Sequence, residues 1–250
     1  MNYYQYILYI LLLSILCGEK QTAEEILLKS FHRMEGIDYR FMVDSKESGK
    51  KKKEKHFLVS VHWPSDGEFL CQTRITSIIT KRKKPSSFWE NRYKDGTKAK
   101  KWLSLPITGK IKDVTDKKSG KKNFSFSDLV VNEADIRLNS KELLPPEKID
   151  TFSVYVIELL EKSKSGKIKE SKKIWIDTES YMPLKVEFYT GNERLYRSVE
   201  CYNFHYMDTI LFPMNIYVRD FKSKRDIQIT IKEVELYPKF DMDIFIPQDQ

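Results

Sequence analysis

The chain has 250 residues, of which 40% are hydrophobic, 13% aromatic and 32% charged, and its formal net charge is +8. Disordered chains are poor in aromatic residues and collagen-like chains are rich in glycine, so 14 Tyr, 14 Phe and 4 Trp against 9 Gly exclude both classes. The positive charge is concentrated in residues 46–122, which carry 22 basic and 8 acidic side chains.

The N-terminal segment predicts export. Residues 1–18 contain no charged side chain, and the apolar stretch at 7–16 has the length of a signal-peptide core and is too short to span a bilayer. We therefore expect a signal peptide at 1–18 and a single domain at 19–250. Cys17 follows the sequence LSIL, which resembles a lipobox, so lipidation of Cys17 and ordinary cleavage nearby both stay open. Cys71 and Cys201 could form a disulfide or remain buried thiols.

A helix is predicted to open the domain. The sequence TAEE at 22–25 has the pattern of a capping box, and Gly36 supplies the left-handed residue that ends a helix. Apolar residues between them recur at helical spacing, so one stripe faces a core. On this pattern Lys29 and Arg33 are expected to stay in water.

After Gly36 the apolar period changes to two, which is typical of half-buried strands. Residues 106–150 are less regular, and we expect short helices or loops at 125–131 and 142–146. Short turns join the strands, so sequence neighbours should pair antiparallel in one curved sheet whose concave apolar face the helix covers. The fold class is mainly β (α+β), with about eleven strands near 39–43, 57–63, 68–80, 88–93, 99–105, 152–161, 168–177, 183–190, 193–206, 209–219 and 226–237.

The sequence gives no support to an enzyme. The four histidines lack metal-ligand spacing, and no Gly-x-Ser-x-Gly elbow or glycine-rich phosphate loop occurs. We therefore expect no catalytic residue, no metal and no cofactor. The basic segment could contact an anionic membrane surface or an acidic partner, or could consist of solvated loop tips; export argues against nucleic acid. The candidate docking rim is Lys81, Arg82, Lys83 and Lys84.

Strand alternation also yields candidates for the concave face. These residues would contact an apolar ligand, and the alternative is that they form ordinary core beneath the helices. The candidates are Phe41, Val43, Val59, Val61, Trp102, Val154, Val186 and Phe188.

Several segments carry a family resemblance. WPSDG at 63–67, KWLSLP at 101–106 and FSFSDL at 124–129 follow one pattern, and IWIDTESYMPLK at 174–185 follows another. With FPM at 212–214 and DIFIP at 243–247, they resemble the outer-membrane lipoprotein-sorting family (LolA/LolB-like) over nearly the whole mature chain.

The resemblance implies an incomplete β-barrel whose helices close a hydrophobic cavity for lipid acyl chains. It implies a non-enzymatic envelope protein that binds a lipid or lipoprotein acyl chain and meets an inner-membrane transporter or outer-membrane receptor. Its location would be the periplasm of a Gram-negative-type bacterium, or a membrane if Cys17 is acylated. The alternative is an envelope sensor or exporter accessory protein that docks a protein partner through its basic loops.

Overall fold

The computed structural model describes residues 21–48, 53–78, 85–105, 108–116, 131–138 and 140–248. Within them, thirteen strands form one antiparallel sheet. The strands before residue 120 are β1 (Tyr39–Ser48), β2 (Lys53–His62), β3 (Phe69–Ile78), β4 (Ser87–Tyr93), β5 (Lys100–Ser104) and β6 (Ile111–Asp113). Those after it are β7 (Lys141–Ile149), β8 (Phe152–Lys162), β9 (Ile168–Asp177), β10 (Pro183–Thr190), β11 (Leu195–Met207), β12 (Ile210–Asp220) and β13 (Arg225–Leu236).

The sheet consists of two meanders joined at one place. Strands β1 to β6 follow one another outward on one side, and β13 back to β7 follow one another on the other side. The joint is the antiparallel pair of β1 with β13, in which Val43 lies opposite Ile231. This order leaves β6 and β7 as the two edges. It confirms the predicted single antiparallel sheet, with thirteen strands rather than about eleven.

Strand β7 corrects the expectation of a short helix or loop at 142–146. Pro145 and Pro146 lie inside the strand, and the pairing with β8 shifts register between Leu144 and Glu147. Proline is tolerated at this position because β7 is an edge strand. A proline has no N–H donor, and on the unpaired side of an edge strand no neighbouring strand needs that donor. Because of these two adjacent prolines, the sequence pattern did not predict a strand here.

The predicted N-terminal helix is confirmed as α1 (Ala23–His32). The Thr22 hydroxyl accepts a hydrogen bond from the backbone N–H of Glu25 at 3.2 Å, and the Glu25 carboxylate accepts one from the Thr22 N–H at 2.8 Å. These bonds satisfy two donors that a helix start otherwise leaves open. Gly36 follows in the left-handed region, with φ of 79°.

Helix α1 shows how strongly the sheet curls. Lys141 in β7 bonds the Glu24 carboxylate at 3.3 Å, while Arg92 in β4 lies over the ring of Phe31. Ten strand-to-strand steps separate β4 from β7, which is about 48 Å across a flat sheet. A ten-residue helix is only about 15 Å long. The sheet must therefore wrap around α1. This curled sheet is the incomplete barrel that the resemblance implies.

A second short helix, α2 (Glu133–Arg137), lies between the two sides of the curled sheet. Its Asp135 forms a buried ion pair with Lys172 in β9 at 2.7 Å, and Arg137 donates to the carbonyl of Gly96, in the turn between β4 and β5, at 2.9 Å. The helix thus ties the β5 side to the β9 side where the barrel is incomplete.

The main core lies on the concave face. It joins Ile26 and Leu27 of α1 to strand residues such as Val43, Ile174 and Ile229. On the outer face, the 3-10 helix Met242–Phe245 packs near β3 and accepts a hydrogen bond from the Trp89 indole through the carbonyl of Ile244 at 2.9 Å. Among the described residues, no helix is long and apolar enough to cross a membrane.

Candidate functional site

One cavity of about 700 Å³ opens between the concave face of the sheet and the end of α1. Residues of β1 to β5 and of β10 to β13 line it, so it follows the curl of the sheet. Its volume lies within the range of about 300–1,000 Å³ that is typical of small-molecule sites. The curl therefore creates space that the side chains leave unfilled.

The middle of the cavity is apolar. Large side chains from both meanders meet there because residues two apart on a strand point to the same face. Phe41 and Val59 contribute from one meander, and Ile216 and Ile229 from the other. Phe57, Ile75, Phe88 and Ile231 extend the same surface.

The end of the cavity at the β1–β2 and β12–β13 hairpins is charged, and we call it the charged rim (Glu47, Lys53, Lys55, Asp220 and Arg225). Arg225 pairs with Glu47 at 3.0 Å, and Asp220 pairs with Arg197 at 3.3 Å. Lys53 and Lys55 are exposed. Because water reaches these side chains, the charged rim is the open end.

The opposite end is closed by Met34 and Phe212, and we call it the closed end (Arg33, Met34, Tyr39, Cys201 and Phe212). Arg33 immediately follows α1, and its Nη1 donates to the Leu211 carbonyl at 3.3 Å. Among the described residues Arg33 has no carboxylate partner. Burial lowers the pKa of its guanidinium. Arg33 is half-buried, and a charge that loses part of its hydration destabilises a fold unless something compensates it.

Tyr39 stands beside this arginine. Burial raises the pKa of its phenol, against the opposing effect of the positive charges of Arg33 and Arg92. The hydroxyl is therefore neutral at physiological pH. Its ring stacks on Phe41 with centroids 6.0 Å apart and meets the edge of Phe212 at 6.2 Å, which fixes the direction of the hydroxyl.

Sequence reasoning missed Arg33, which it expected in water. The correction has a local cause, because position 33 lies seven residues after the buried Ile26 and three after the buried Ser30, on the same side of the helix. The spacing alone could have shown that Arg33 faces inward. It could not have shown that Arg33 faces a cavity.

The eight candidate residues separate into three groups. Phe41, Val59 and Val61 line the cavity. Val43 and Val186 are buried in the concave core, and Phe188 packs against that core under the side chains of Lys172 and Arg197. For all of these, contact with a lipid stays a prediction.

Trp102 and Val154 are placed on the outer face, and their assignment to the concavity is corrected. Trp102 lies opposite Trp89 in the β4–β5 pair, whereas its neighbour Lys101 lines the cavity. Val154 belongs to a separate cluster with Val156 and Trp175. Alternation identifies which residues share a face, but it does not identify which face is concave.

Other predicted features lie elsewhere. Cys17 and the rim of Lys81, Arg82, Lys83 and Lys84 are outside the described residues, so lipidation and docking stay predictions. Cys71 and Cys201 are free thiols, and burial raises the pKa of each to about 12. Within the described ranges, no group of three His, Cys, Asp or Glu side chains could hold a metal ion.

Comparison with known proteins identifies the family. Residues 75–249 match the model of a protein family described as "Uncharacterized protein" with the qualifier "-like". The chain belongs to this family. The match begins within β3 and includes all strands from β4 to β13. Among curated proteins, none matches the sequence.

Solved structures define the fold further. A DUF1329 family protein from Desulfovibrio piger superposes with a TM-score of 0.71 at 16% identity, over 90% of this chain and 95% of that one. A domain classed as an outer membrane lipoprotein-sorting protein, from Vibrio parahaemolyticus, gives 0.68 at 18% identity over 89% and 97%. A LolA superfamily protein from Nitrosomonas europaea gives 0.59 at 18% identity over 90% and 98%. The fold is therefore LolA-like, as the motifs indicate.

Proposed function

We propose that the protein is a non-enzymatic carrier or receptor of a bacterial envelope, which buries an acyl chain of a lipid or lipoprotein in the cavity. The observation that carries the proposal is the cavity of about 700 Å³ with an apolar middle and a charged open end. A ligand with a long apolar part fits this polarity better than a polar substrate does. The LolA-like fold supports the same class of ligand.

The mechanism would be burial of hydrocarbon. Each methylene group that leaves water contributes about 0.8 kcal/mol. Ten methylenes would thus contribute about 8 kcal/mol before the entropic cost of association, which gives useful affinity without polar chemistry. Phe41, Val59 and Val61 would provide part of the contact surface.

Release would be faster if the closed end of the cavity also opened. The end of α1 closes it and is held to β4 by the contact between Phe31 and Arg92. We propose that this end of the helix moves when the ligand is transferred to a membrane transporter, a receptor or an anionic membrane surface. The apolar segment at 7–16 supports delivery of the protein to the envelope.

A pair of adjacent residues provides the test. Val59 lines the cavity and Leu58 points to the other face of β2, so Val59→Trp fills the cavity and Leu58→Trp is a matched control. Delipidated protein is titrated with a fluorescent fatty acid. We expect saturable binding by the natural protein and by Leu58→Trp, and at least tenfold weaker binding by Val59→Trp. Absence of saturable binding by the natural protein would refute the proposal.

A further inference from the structure

Resting on the proposed function, we propose that the ligand is a long-chain fatty acid bound acid group first, with its carboxylate held by Arg33 and the hydroxyl of Tyr39 at the closed end. The chain would extend from there through the apolar middle toward the charged rim. The assignment depends on three features: a half-buried cation without a carboxylate partner, a neutral donor beside it and the dimensions of the cavity.

The unpaired cation is the strongest of these features. Arg33 lines the cavity, and its only hydrogen bond within the described ranges goes to the neutral carbonyl of Leu211. Arg33 is half-buried, and removing part of a charged side chain from water is unfavourable unless an opposite charge accompanies it. A ligand carboxylate would supply that charge and could accept two parallel N–H bonds from the guanidinium. The arginine is thus better explained by a bound anion than by packing.

The other arginines along the cavity are already compensated. Arg92 bonds the Glu90 carboxylate at 3.2 Å, and Arg225 and Arg197 pair with the carboxylates of the charged rim. Lys101 also approaches Glu90, at 3.7 Å. Arg33 therefore differs from the other arginines that line the cavity, each of which has a carboxylate within ion-pair distance.

Tyr39 would complete the site as a second donor. Its phenol stays protonated, and in the described part of the chain its hydroxyl has no hydrogen-bond partner. Its ring is held in place by Phe41 and Phe212, so the hydroxyl is available without rearrangement. A carboxylate accepts several hydrogen bonds, so it could bind the Arg33 guanidinium and the Tyr39 hydroxyl at the same time.

The dimensions fit one acyl chain beyond this site. The lining residues of β1 extend from Tyr39 to Glu47, eight residue steps or about 26 Å. One leaflet of a bilayer places its acyl chains in about 15 Å, half of the hydrocarbon thickness. A chain that begins at Arg33 therefore ends before or near the charged rim. A diacyl lipid would have to place its larger headgroup beyond Tyr39, where Met34 and Phe212 close the cavity.

The test compares ligands that differ only in the head group. Palmitic acid, hexadecanol and methyl palmitate compete with a fluorescent probe for the delipidated protein. We expect the acid to bind about 10- to 100-fold more tightly than the alcohol or the ester, as the loss of a charged hydrogen bond predicts. This comparison uses the natural protein and does not depend on how a variant folds.

Variants then assign the effect to the two residues. Arg33→Met should remove the preference for the acid, so that palmitic acid and hexadecanol bind with similar affinities, and Tyr39→Phe should weaken acid binding several-fold. Lys55→Gln removes a charge at the rim and should preserve the preference. Equal binding of acid and alcohol, or a preference that survives Arg33→Met, would overturn the assignment to Arg33. Failure of all three ligands to bind would instead overturn the proposed function.

Discussion

The guanidinium of Arg92 in β4 lies 5.6 Å from the centroid of the Phe31 ring in α1. This contact joins the end of the helix to the side of the sheet opposite β7, where Lys141 bonds Glu24 at the start of the helix. The two ends of α1 are thus fixed to strands that are remote in the sheet order. The helix holds the curl in place while it closes one end of the cavity.

Replacement of Phe31 should loosen this closure. Phe31 is half-buried against the concave core, so Phe31→Ala loses both apolar burial and the contact with Arg92. We expect the free energy of unfolding to fall by about 2 kcal/mol in urea titrations. Leu28→Ala changes an exposed residue of the same helix and should alter stability by less than about 0.5 kcal/mol. Equal losses in the two variants would contradict the role of Phe31.

Replacement of Arg33 should stabilise the ligand-free protein. Arg33→Met exchanges a half-buried charge without a carboxylate partner for an apolar side chain of similar length. The gain is partly offset because the Leu211 carbonyl loses a donor. We expect the free energy of unfolding to rise by about 1–2 kcal/mol, with Arg194→Met in an exposed turn as the neutral control. A marked loss of stability would show that Arg33 serves the fold rather than a ligand.

The network around Asp44 predicts a pH dependence. Lys232 and His56 bond the two carboxylate oxygens at 2.6 and 2.7 Å, and these bonds lower the pKa of Asp44. A carboxylate with a lowered pKa stabilises the fold above its unfolded pKa of about 3.9, and that contribution disappears as pH falls through the lower folded value. Asp44→Asn should therefore be less stable than the natural protein at pH 7, and the difference should shrink below about pH 4.

Urea titrations at pH 7 and pH 3 measure this difference. Asp66→Asn, in the exposed turn before β3, provides the control and should change stability little at either pH. A deficit of Asp44→Asn that is as large at pH 3 as at pH 7 would be inconsistent with an ionic contribution.

The buried Cys71 and the half-buried Cys201 should react slowly. With a pKa of about 12, about one thiol in 10⁴ is ionised at pH 8, and burial further limits access. We expect Cys71 and Cys201 to resist alkylation in the native protein and to be fully alkylated in denaturant without reductant. Mass spectrometry of the peptides measures both states. A peptide containing both cysteines in a disulfide would contradict the free thiols of the structure.

Much of the fold is local and was predictable. The alternation of β1 and β2, the short turns after β8 and the capping box at Thr22 each depend on a few neighbouring residues. Strand β7 was not predictable because its two prolines are acceptable only at the edge of a sheet. Its position at the edge follows from the order of all thirteen strands.

The sequence likewise predicted only part of the candidate site, because local patterns do not contain the order and curl of the strands. Alternation correctly grouped Phe41 with Val43, and Val59 with Val61, on one face of their strands. It could not identify Trp102 and Val154 as outer-face residues, because the side chains of both faces alternate with the same period. Only the direction of the curl separates the two faces.

The sequence alone determined most of the strands, the first helix, the antiparallel connections and the resemblance to lipoprotein-sorting proteins, because short-range patterns encode each of them. The tertiary structure decided that β1 pairs with β13, that the sheet wraps around α1 and that a hollow remains between them. It also places Arg33, which the sequence pattern put at the surface, at the closed end of the cavity. The physical reason is that pairing and curl join residues nearly 200 positions apart, a distance over which no periodic pattern carries information.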